Sequence, residues 1–222
     1  MYIIIAGGGI VGSSIAAQLT KEHSVVVIDS DHALCEKIYS TYGIISICGD
    51  TSKIDTLKDA GIEKCDIAIA AMRNDATNLV FALLARDLGA KEVFVRMNDP
   101  AYEHAYKVAG ATNVGSGVDM LVDKFVMDIK QPDIRRVASL GDGKAEISII
   151  TVPIGAACSG RMIQEIAGDS SFPQDCVIAG IYDVLEDRLV IPRGEARIYA
   201  SNQVFVVAPR ESMVKAAKYF RK

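Results

Sequence analysis

Gly7-Gly8-Gly9-Ile10-Val11-Gly12 follows a short apolar run, Tyr2 to Ala6, and leads directly into the small-residue stretch Ser14 to Leu19. A GxGxxG placed between a strand and a helix restricts the fold more than any other feature of the chain, because each glycine has a steric task. Gly7 permits the tight turn, Gly9 lets the backbone approach a pyrophosphate, and Gly12 lets the helix pack close to the strand. The helix that begins there offers free N–H groups and the positive end of its dipole to phosphate oxygens. Ala16 and Ala17 keep its inner face small. Asp29 closes the next apolar run, Ser24 to Asp29, 17 residues after Gly12. A carboxylate in that place accepts hydrogen bonds from both hydroxyls of an adenosine ribose and repels a 2'-phosphate, which predicts NAD(H), ATP or ADP and disfavours NADP(H). An ordinary solvated Asp beside a glycine-rich turn is the structural alternative.

The rest of the first two-thirds has the pattern such a motif needs. Tyr2 to Ala6, Ser24 to Asp29, Ile44 to Ile47, Asp66 to Ala71 and Glu92 to Met97 are nearly continuous in apolar residues. That is the habit of strands buried on both faces, in a parallel sheet covered by helices. Between them lie helical patterns, the clearest with Ala76, Leu79, Val80, Leu83 and Leu84 as its predicted inner face and Gly89 as its stop. A helix from Gly117 to Lys130 carries Val118, Leu121, Val122, Phe125, Val126 and Ile129 on one stripe, with Met120 and Met127 as a second apolar edge. Apolar on more than one side, it is expected to be covered on more than one side, by its own sheet and also by a second subunit, with a well-buried core helix as the structural alternative.

From Gln131 to Gly143 the alternation stops, with Pro132 and a Gly141-Asp142-Gly143 turn. Strands follow at Ala145 to Val152, Cys176 to Asp183, Arg188 to Ile191 and Gln203 to Ala208, with helices near Arg161 to Ala167 and Glu211 to Phe220. The predicted architecture is α/β: a Rossmann-like, doubly wound parallel sheet over residues 1–135, then a small α+β lobe over 140–222.

In a doubly wound sheet the strand ends face one crevice. Asp50 follows the third strand and meets an adenine or ribose edge, or serves only a turn or helix cap. Arg73, Asn74 and Asp75 follow the fourth, where Asp75 is expected to cap the next helix unless it meets the ligand. Arg96 ends the fifth, where a guanidinium reaches phosphates or pairs with Asp29 or Asp50. With their neighbours, the predicted cofactor-binding set is Gly7, Gly9, Ile10, Val11, Gly12, Asp29, Ser30, Asp50, Thr51, Ala71, Met72, Arg73 and Arg96.

Composition removes several other classes. With 24 basic against 28 acidic residues and a net charge of -4, the chain lacks the basic surplus of a nucleic-acid binder. Its five cysteines form no CxxC pair, so neither a disulfide framework nor a zinc site is expected, and the reducing cytoplasm is the expected location. The start is too short in apolar residues for a signal peptide, and no uncharged run is long enough to span a membrane. An NAD-dependent oxidoreductase is the competing class. Its acid or base would have to come from His23, His32 or His104, which sit in or beside predicted helices rather than at strand ends, so no catalytic residue and no metal ligand is assigned. Lys215, Lys218, Arg221 and Lys222 give the last helix a basic face, read as solvated or as facing a membrane protein or anionic lipid.

The order GGGIVGSSIA, VVVIDSD, CGDTSKIDTLKDAGIEKCDIAIAA, NDATNLVFALLARDLGA and VFVRM resembles the TrkA-type regulatory subunits of Trk and Ktr potassium uptake systems, and Ala145 to the C-terminus resembles their TrkA-C lobe. Gly49, Asp50, Ala60, Gly61, Ile62, Asp66, Ala70 and Asn78 carry the specific part of the likeness. The resemblance implies a non-enzymatic, cytosolic subunit built on an RCK (regulator of K+ conductance) N-lobe. It implies a homodimer assembling into a tetrameric or octameric ring, held at the inner face of the membrane by an integral-membrane TrkH- or KtrB-like K+ channel or translocator, which it gates according to bound nucleotide. Gly7, Gly9, Gly12, Asp29, Asp50 and Arg96 match the nucleotide contacts, and the helix after Gly117 matches the crossover helix of the dimer. Two positions depart from the family. Ile10 stands where an Arg often reaches a phosphate across a subunit boundary, and Ser116-Gly117-Val118 stands where relatives have Ser-Pro-Glu with a metal-binding Glu.

Overall fold

The computed structural model describes residues 1–130, 132, 134–141 and 144–221. Asp142 and Gly143 of the expected turn, and Lys222 of the basic helix face, lie outside the described residues. The chain forms two compact units, 1–121 and 122–222.

The first unit alternates strand and helix: β1 (Tyr2–Ala6), α1 (Ile10–Leu19), β2 (Ser24–Asp29), α2 (His32–Tyr42), β3 (Ile45–Cys48), α3 (Ile54–Asp59), β4 (Ile67–Ala70), α4 (Asp75–Asp87), β5 (Glu92–Met97), α5 (Glu103–Val108) and β6 (Asn113–Ser116). The strands are parallel in the order β3-β2-β1-β4-β5-β6, so the winding reverses between β1 and β4. This is the doubly wound Rossmann-like sheet that the continuous apolar runs predict. Ile4 and Ile5 are fully buried on opposite faces of β1, in two separate cores. Burying each such side chain contributes about 1.5–3 kcal/mol. β6 was not expected; Asn113-Val114-Gly115-Ser116 is too short and too polar to read as a strand, and it forms by pairing with β5.

The predicted inner face of α4 is corrected. Val80 and Leu83 are exposed, Leu79 and Leu84 are half-buried, and the buried residues are Asp75, Asn78, Phe81, Ala82 and Ala85. The apolar periodicity takes no account of Asn78, which is fully buried. It lies inside because its amide serves backbone groups at the sheet edge, and that rotates the helix onto its Phe81 side.

Helix α6 (Gly117–Lys130) starts in the first unit and ends in the second. Its expected double covering is not made within the chain. Val118, Met120, Leu121, Val122, Phe125, Val126 and Ile129 are exposed, and only Met127 is buried.

The second unit continues with β7 (Ile134–Leu140), β8 (Ala145–Thr151), α7 (Ile163–Ala167), β9 (Val177–Asp183), β10 (Arg188–Val190), β11 (Gln203–Ala208) and α8 (Arg210–Arg221). Its sheet is antiparallel, in the order β10-β9-β11-β8-β7. β7 lies where the sequence pattern showed only an interruption. Its alternation is weak because most of its residues are exposed, and register with β8 shifts between Arg136 and Ala138. Helix α8 buries Met213, Ala216, Ala217, Tyr219 and Phe220 against the sheet, and Phe172 meets both of the last two rings edge-on. Lys215 and Lys218 stay on its exposed face.

One polar network fastens this core. Arg161 Nη1 donates to Asp169 Oδ2 (2.9 Å) and to Tyr219 Oη (2.6 Å), while the Tyr219 hydroxyl donates to Asp169 Oδ2 (3.0 Å). Arg161, then the Ser171 donors and Tyr219, hold the Asp169 carboxyl well below the usual carboxylate range. A folded pKa below the unfolded value contributes stability that is present above about pH 4 and lost as pH falls through that value toward the folded pKa. Thermal melts at successive pH values should therefore show the second unit weakening in acid, with a shallower pH dependence in Asp169→Asn. An equal slope in the variant would assign the effect to other carboxylates.

Candidate functional site

At the carboxyl ends of the parallel strands, on either side of the β1/β4 reversal, opens a crevice of about 640 Å³, joined to a second depression of about 340 Å³ through Gly7, Asp29, Met72 and Thr77. Every residue of the predicted set except Gly12 lines one or both: Gly7, Gly9, Ile10, Val11, Asp29, Ser30, Asp50, Thr51, Ala71, Met72, Arg73 and Arg96. The fold thus brings together residues from the ends of all of the first five strands.

The glycine loop shows why these positions are glycine. Gly7 has φ +98°, a left-handed backbone that side chains avoid, and its N–H donates to Ile28 O (2.8 Å). Gly12 sits behind the loop rather than in the crevice, and a Cβ there would lie 1.8 Å from Gly7 O. Gly9 differs from both. Its φ is an ordinary -61°, and a Cβ would meet nothing within 4 Å. Local packing therefore places no steric demand for glycine at position 9, which lines the crevice. No side chain caps the N-terminus of α1, whose first-turn N–H groups have no intrahelical acceptors. Loop and helix end together form a cradle of donors for an anion, the arrangement a pyrophosphate requires.

Asp29 has a second task that spacing does not disclose. Its Oδ2 accepts from Gly8 N–H (2.7 Å) and its Oδ1 from Asp31 N–H (2.9 Å). The carboxylate ties the glycine loop to the start of α2, and each oxygen keeps a further lone pair toward the crevice. Asp50 forms an Asx turn, its Oδ1 accepting from Ser52 N–H (2.9 Å) and Ser52 Oγ (2.7 Å). These two bonds lower its pKa. Its other oxygen makes no hydrogen bond among the described residues.

The opposite rim is built from the loops after β4 and β5. Asn78, fully buried, accepts from Met72 N–H (3.0 Å) and donates from Nδ2 to Met72 O (3.0 Å) and Arg96 O (3.0 Å). One amide thus satisfies three backbone groups and fixes both strand exits. The expectation for Asp75 as a helix cap is corrected: Asn74 caps α4 by accepting from Thr77 N–H (3.0 Å). The Asp75 carboxylate instead accepts from Asn98 N–H and Asp99 N–H (both 3.0 Å) and from the Tyr106 hydroxyl (2.7 Å). Burial, then Asp75, pushes the Tyr106 phenol well above its ordinary pKa. Arg96 and Arg73 line the crevice, and neither guanidinium has an ion-pair partner among the described residues; the expected Arg96 pair with Asp29 or Asp50 is not formed. The predicted set lacks six lining residues, Ile28, Asp31, Leu34, Gly49, Asn74 and Thr77. The adjacency of Asp31 to Asp29 was the available signal.

Comparison with known proteins agrees with this architecture. Residues 3–117 match the TrkA-N domain family and residues 147–221 the TrkA-C domain family. The chain is 32% identical over 222 residues to the Trk system potassium uptake protein TrkA homolog of Archaeoglobus fulgidus, covering 96% of this chain and 48% of the relative. It is 28% identical over 221 residues to the homolog of Methanothermobacter thermautotrophicus, covering 99% of both. Against TrkA of Vibrio alginolyticus the identity is 28% over 225 residues, 98% of this chain and 49% of the relative. The chain thus spans about half the length of two of these relatives and nearly all of the third. Among solved structures, the GsuK channel bound to NAD superimposes with a TM-score of 0.67 at 16% identity, over 100% of this chain and 39% of that one. The GsuK RCK domain gives 0.66 at 14%, over 100% of this chain and 47% of that one.

Two substitutions test the geometry. Gly12→Ala should destabilise the first unit by about 1–3 kcal/mol or more, because the new methyl collides with backbone that cannot rotate away. Asn78→Ala should cost a similar amount through the backbone groups it strands, about 1–3 kcal/mol for each that water cannot reach. Urea denaturation followed by circular dichroism reads both; stability unchanged in either variant would mean that the loop or rim relaxes freely.

Proposed function

The chain belongs to the family defined by TrkA-N and TrkA-C domains, and on that premise we propose that it is a nucleotide-sensing regulatory subunit of a Trk- or Ktr-type potassium transport system. The observation that carries the reading is Gly9. It is a crevice-lining glycine that packing does not require, at an uncapped helix N-terminus and in the same lining as Arg73 and Arg96, which have no ion-pair partner among the described residues. The ligand class this suits is an adenine nucleotide with an unmodified ribose, NAD(H) or ATP/ADP. Asp29 and Asp31 together put negative charge where a 2'-phosphate of NADP(H) would lie. The relatives' name, Trk system potassium uptake protein, supports the transport context, and the NAD and ADP named with GsuK support the ligand class.

An oxidoreductase is not favoured. None of the three histidines lines the crevice, and the named relatives are uptake proteins. No helix among the described residues is long and apolar enough to cross a membrane. In this reading, which the Trk system name of the relatives supports, ion movement falls to an integral-membrane K+ translocating partner, with this chain peripheral at its cytoplasmic face. The exposed stripe of α6, Val118, Leu121, Val122, Phe125 and Ile129, supports a homodimer as the assembly unit. Nucleotide bound between the glycine loop and the rim held by Asn78 would favour one conformation of that assembly and so bias the partner's gate. Ile10, 80% exposed, supplies no charge to a phosphate from a neighbouring subunit, so sensing rests on Arg73, Arg96 and the loop of the same chain.

Thermal-shift measurements with NADH, NAD, ATP, ADP and NADPH test this. A ligand at about 100 times its dissociation constant should add about 2.7 kcal/mol, with NADPH giving the smallest effect. Gly9→Val is the discriminating variant, since a Cβ at that position meets nothing within 4 Å. It should keep the unliganded stability to within about 1 kcal/mol, the usual range for a helix N-cap change, and lose the ligand shift. Equal shifts in the variant and the parent would remove the ligand from the glycine loop.

A further inference from the structure

Two of the five cysteines rest their thiols on backbone of the crevice lining. Cys35, buried on α2, has its thiol 3.5 Å from Asp29 O and 3.8 Å from Ile47 O. Cys48, exposed at the end of β3, has its thiol 3.7 Å from Ser30 O. Asp29 and Cys48 are register partners across β2 and β3, and the Cys35 and Cys48 thiols rest on successive carbonyls of one peptide run, Asp29 and Ser30. The peptide run that both thiols touch, Asp29-Ser30, carries the carboxylate that fastens Gly8 and lines the ribose end of the crevice, and Gly49 N–H donates to Asp29 O (2.9 Å) one residue beyond Cys48. The thiols of Cys65 and Cys158 rest on other carbonyls, Tyr2 O and Phe220 O.

We propose that Cys35 and Cys48 form a reversible intramolecular disulfide that weakens nucleotide binding in the adjoining crevice, a thiol switch set into the ligand site. The linkage stands on the placement of the two thiols; its effect on affinity rests on the nucleotide reading above. The oxidant is a low-molecular-weight disulfide, RSSR. The exposed Cys48 thiolate attacks one of its sulfurs, forming Cys48–S–S–R and releasing RS⁻, which takes up the proton that Cys48 lost. Cys35 then loses its proton and attacks the Cys48 sulfur, breaking that mixed disulfide and releasing the second RS⁻, which is protonated in turn. Two electrons pass from the dithiol to the small disulfide, giving one protein disulfide and two RSH, and a small thiol reverses both steps. The order follows from access. Burial pushes the Cys35 thiol up to about 11, which leaves the exposed Cys48 as the first nucleophile and makes the second step faster at higher pH. A disulfide of this kind suits a reducing compartment, where such bonds are transient and sensing rather than structural. Drawing Cys48 against α2 moves Gly49, Asp50 and Thr51, which line the crevice beside Asp29.

The test uses the whole purified chain, reduced and then treated with bis(2-hydroxyethyl) disulfide at pH 8, denatured, alkylated and mapped by mass spectrometry. The expected product is a linked Cys35–Cys48 peptide pair that a small thiol releases, with Cys65, Cys158 and Cys176 still alkylated. Cys35→Ser should stop at the Cys48 mixed disulfide, and Cys48→Ser should leave Cys35 fully alkylated. A parent chain that itself stops at the mixed disulfide, or links Cys35 elsewhere, overturns the proposal. In parallel, ADP and NADH affinities are compared for the reduced and linked chains, with a loss of about tenfold expected on linkage, a typical coupling between sites. Unchanged affinity overturns the switch even if the bond forms. Failure of either nucleotide to bind the reduced chain would instead defeat the nucleotide reading and with it the switch, while the mass map still decides the bond.

Discussion

The first unit depends on the close seating of α1 on the turn that follows β1. With hydrogen in place of a side chain at Gly12, the helix backbone comes down onto the Gly7 carbonyl, at a separation that a Cβ would reduce to 1.8 Å. That contact aims the N-terminus of α1 at the reversal point of the sheet, and the uncapped donors of its first turn then face open space. Gly7 turns the chain in a left-handed conformation, and Asp29 fastens the loop through Gly8 N–H. The fold thus rigidifies the parts of the loop that face inward and leaves Gly9 with nothing to touch. A site whose donors are held in advance does not have to order them when ligand arrives.

The other rim follows a different rule. The loops after β4 and β5 end parallel strands, so their backbone groups lose sheet partners where burial denies them water. Asn78 and Asp75 take up those groups, the first at Met72 and Arg96, the second at Asn98 and Asp99. Uncharged or inward-facing polar groups therefore build the rim, and the guanidiniums of Arg73 and Arg96 are left to line the crevice. The same division runs through the Cys35 and Cys48 thiols, which rest on the carbonyls of Asp29, Ser30 and Ile47 rather than on a charged group.

The second unit holds itself together by other means. Its antiparallel sheet is covered by α8 through an edge-on aromatic cluster and the Arg161–Asp169–Tyr219 network. Between the units, α6 carries an apolar stripe that neither core absorbs. Burial of such a stripe is worth more than its solvation only when a second surface is supplied.

Much was legible in the sequence because it depends on local chemistry. The GxGxxG spacing, the acid that ends β2, the continuous apolar runs and the length of α6 each follow from sterics or periodicity within a few residues, and they suffice for the winding of the sheet and most of the crevice. Tertiary structure decided what depends on partners distant along the chain. It turned α4 to bury Asn78 in place of Val80 and Leu83, gave the helix cap to Asn74 and freed Asp75 for the β5 exit, formed β6 and β7 against neighbours rather than by their own propensity, and set Cys35 beside Cys48. The physical reason is common to all of these. A buried backbone group must find an acceptor or donor wherever the fold places one, and hydrophobic periodicity contains no information about which polar side chain will supply it.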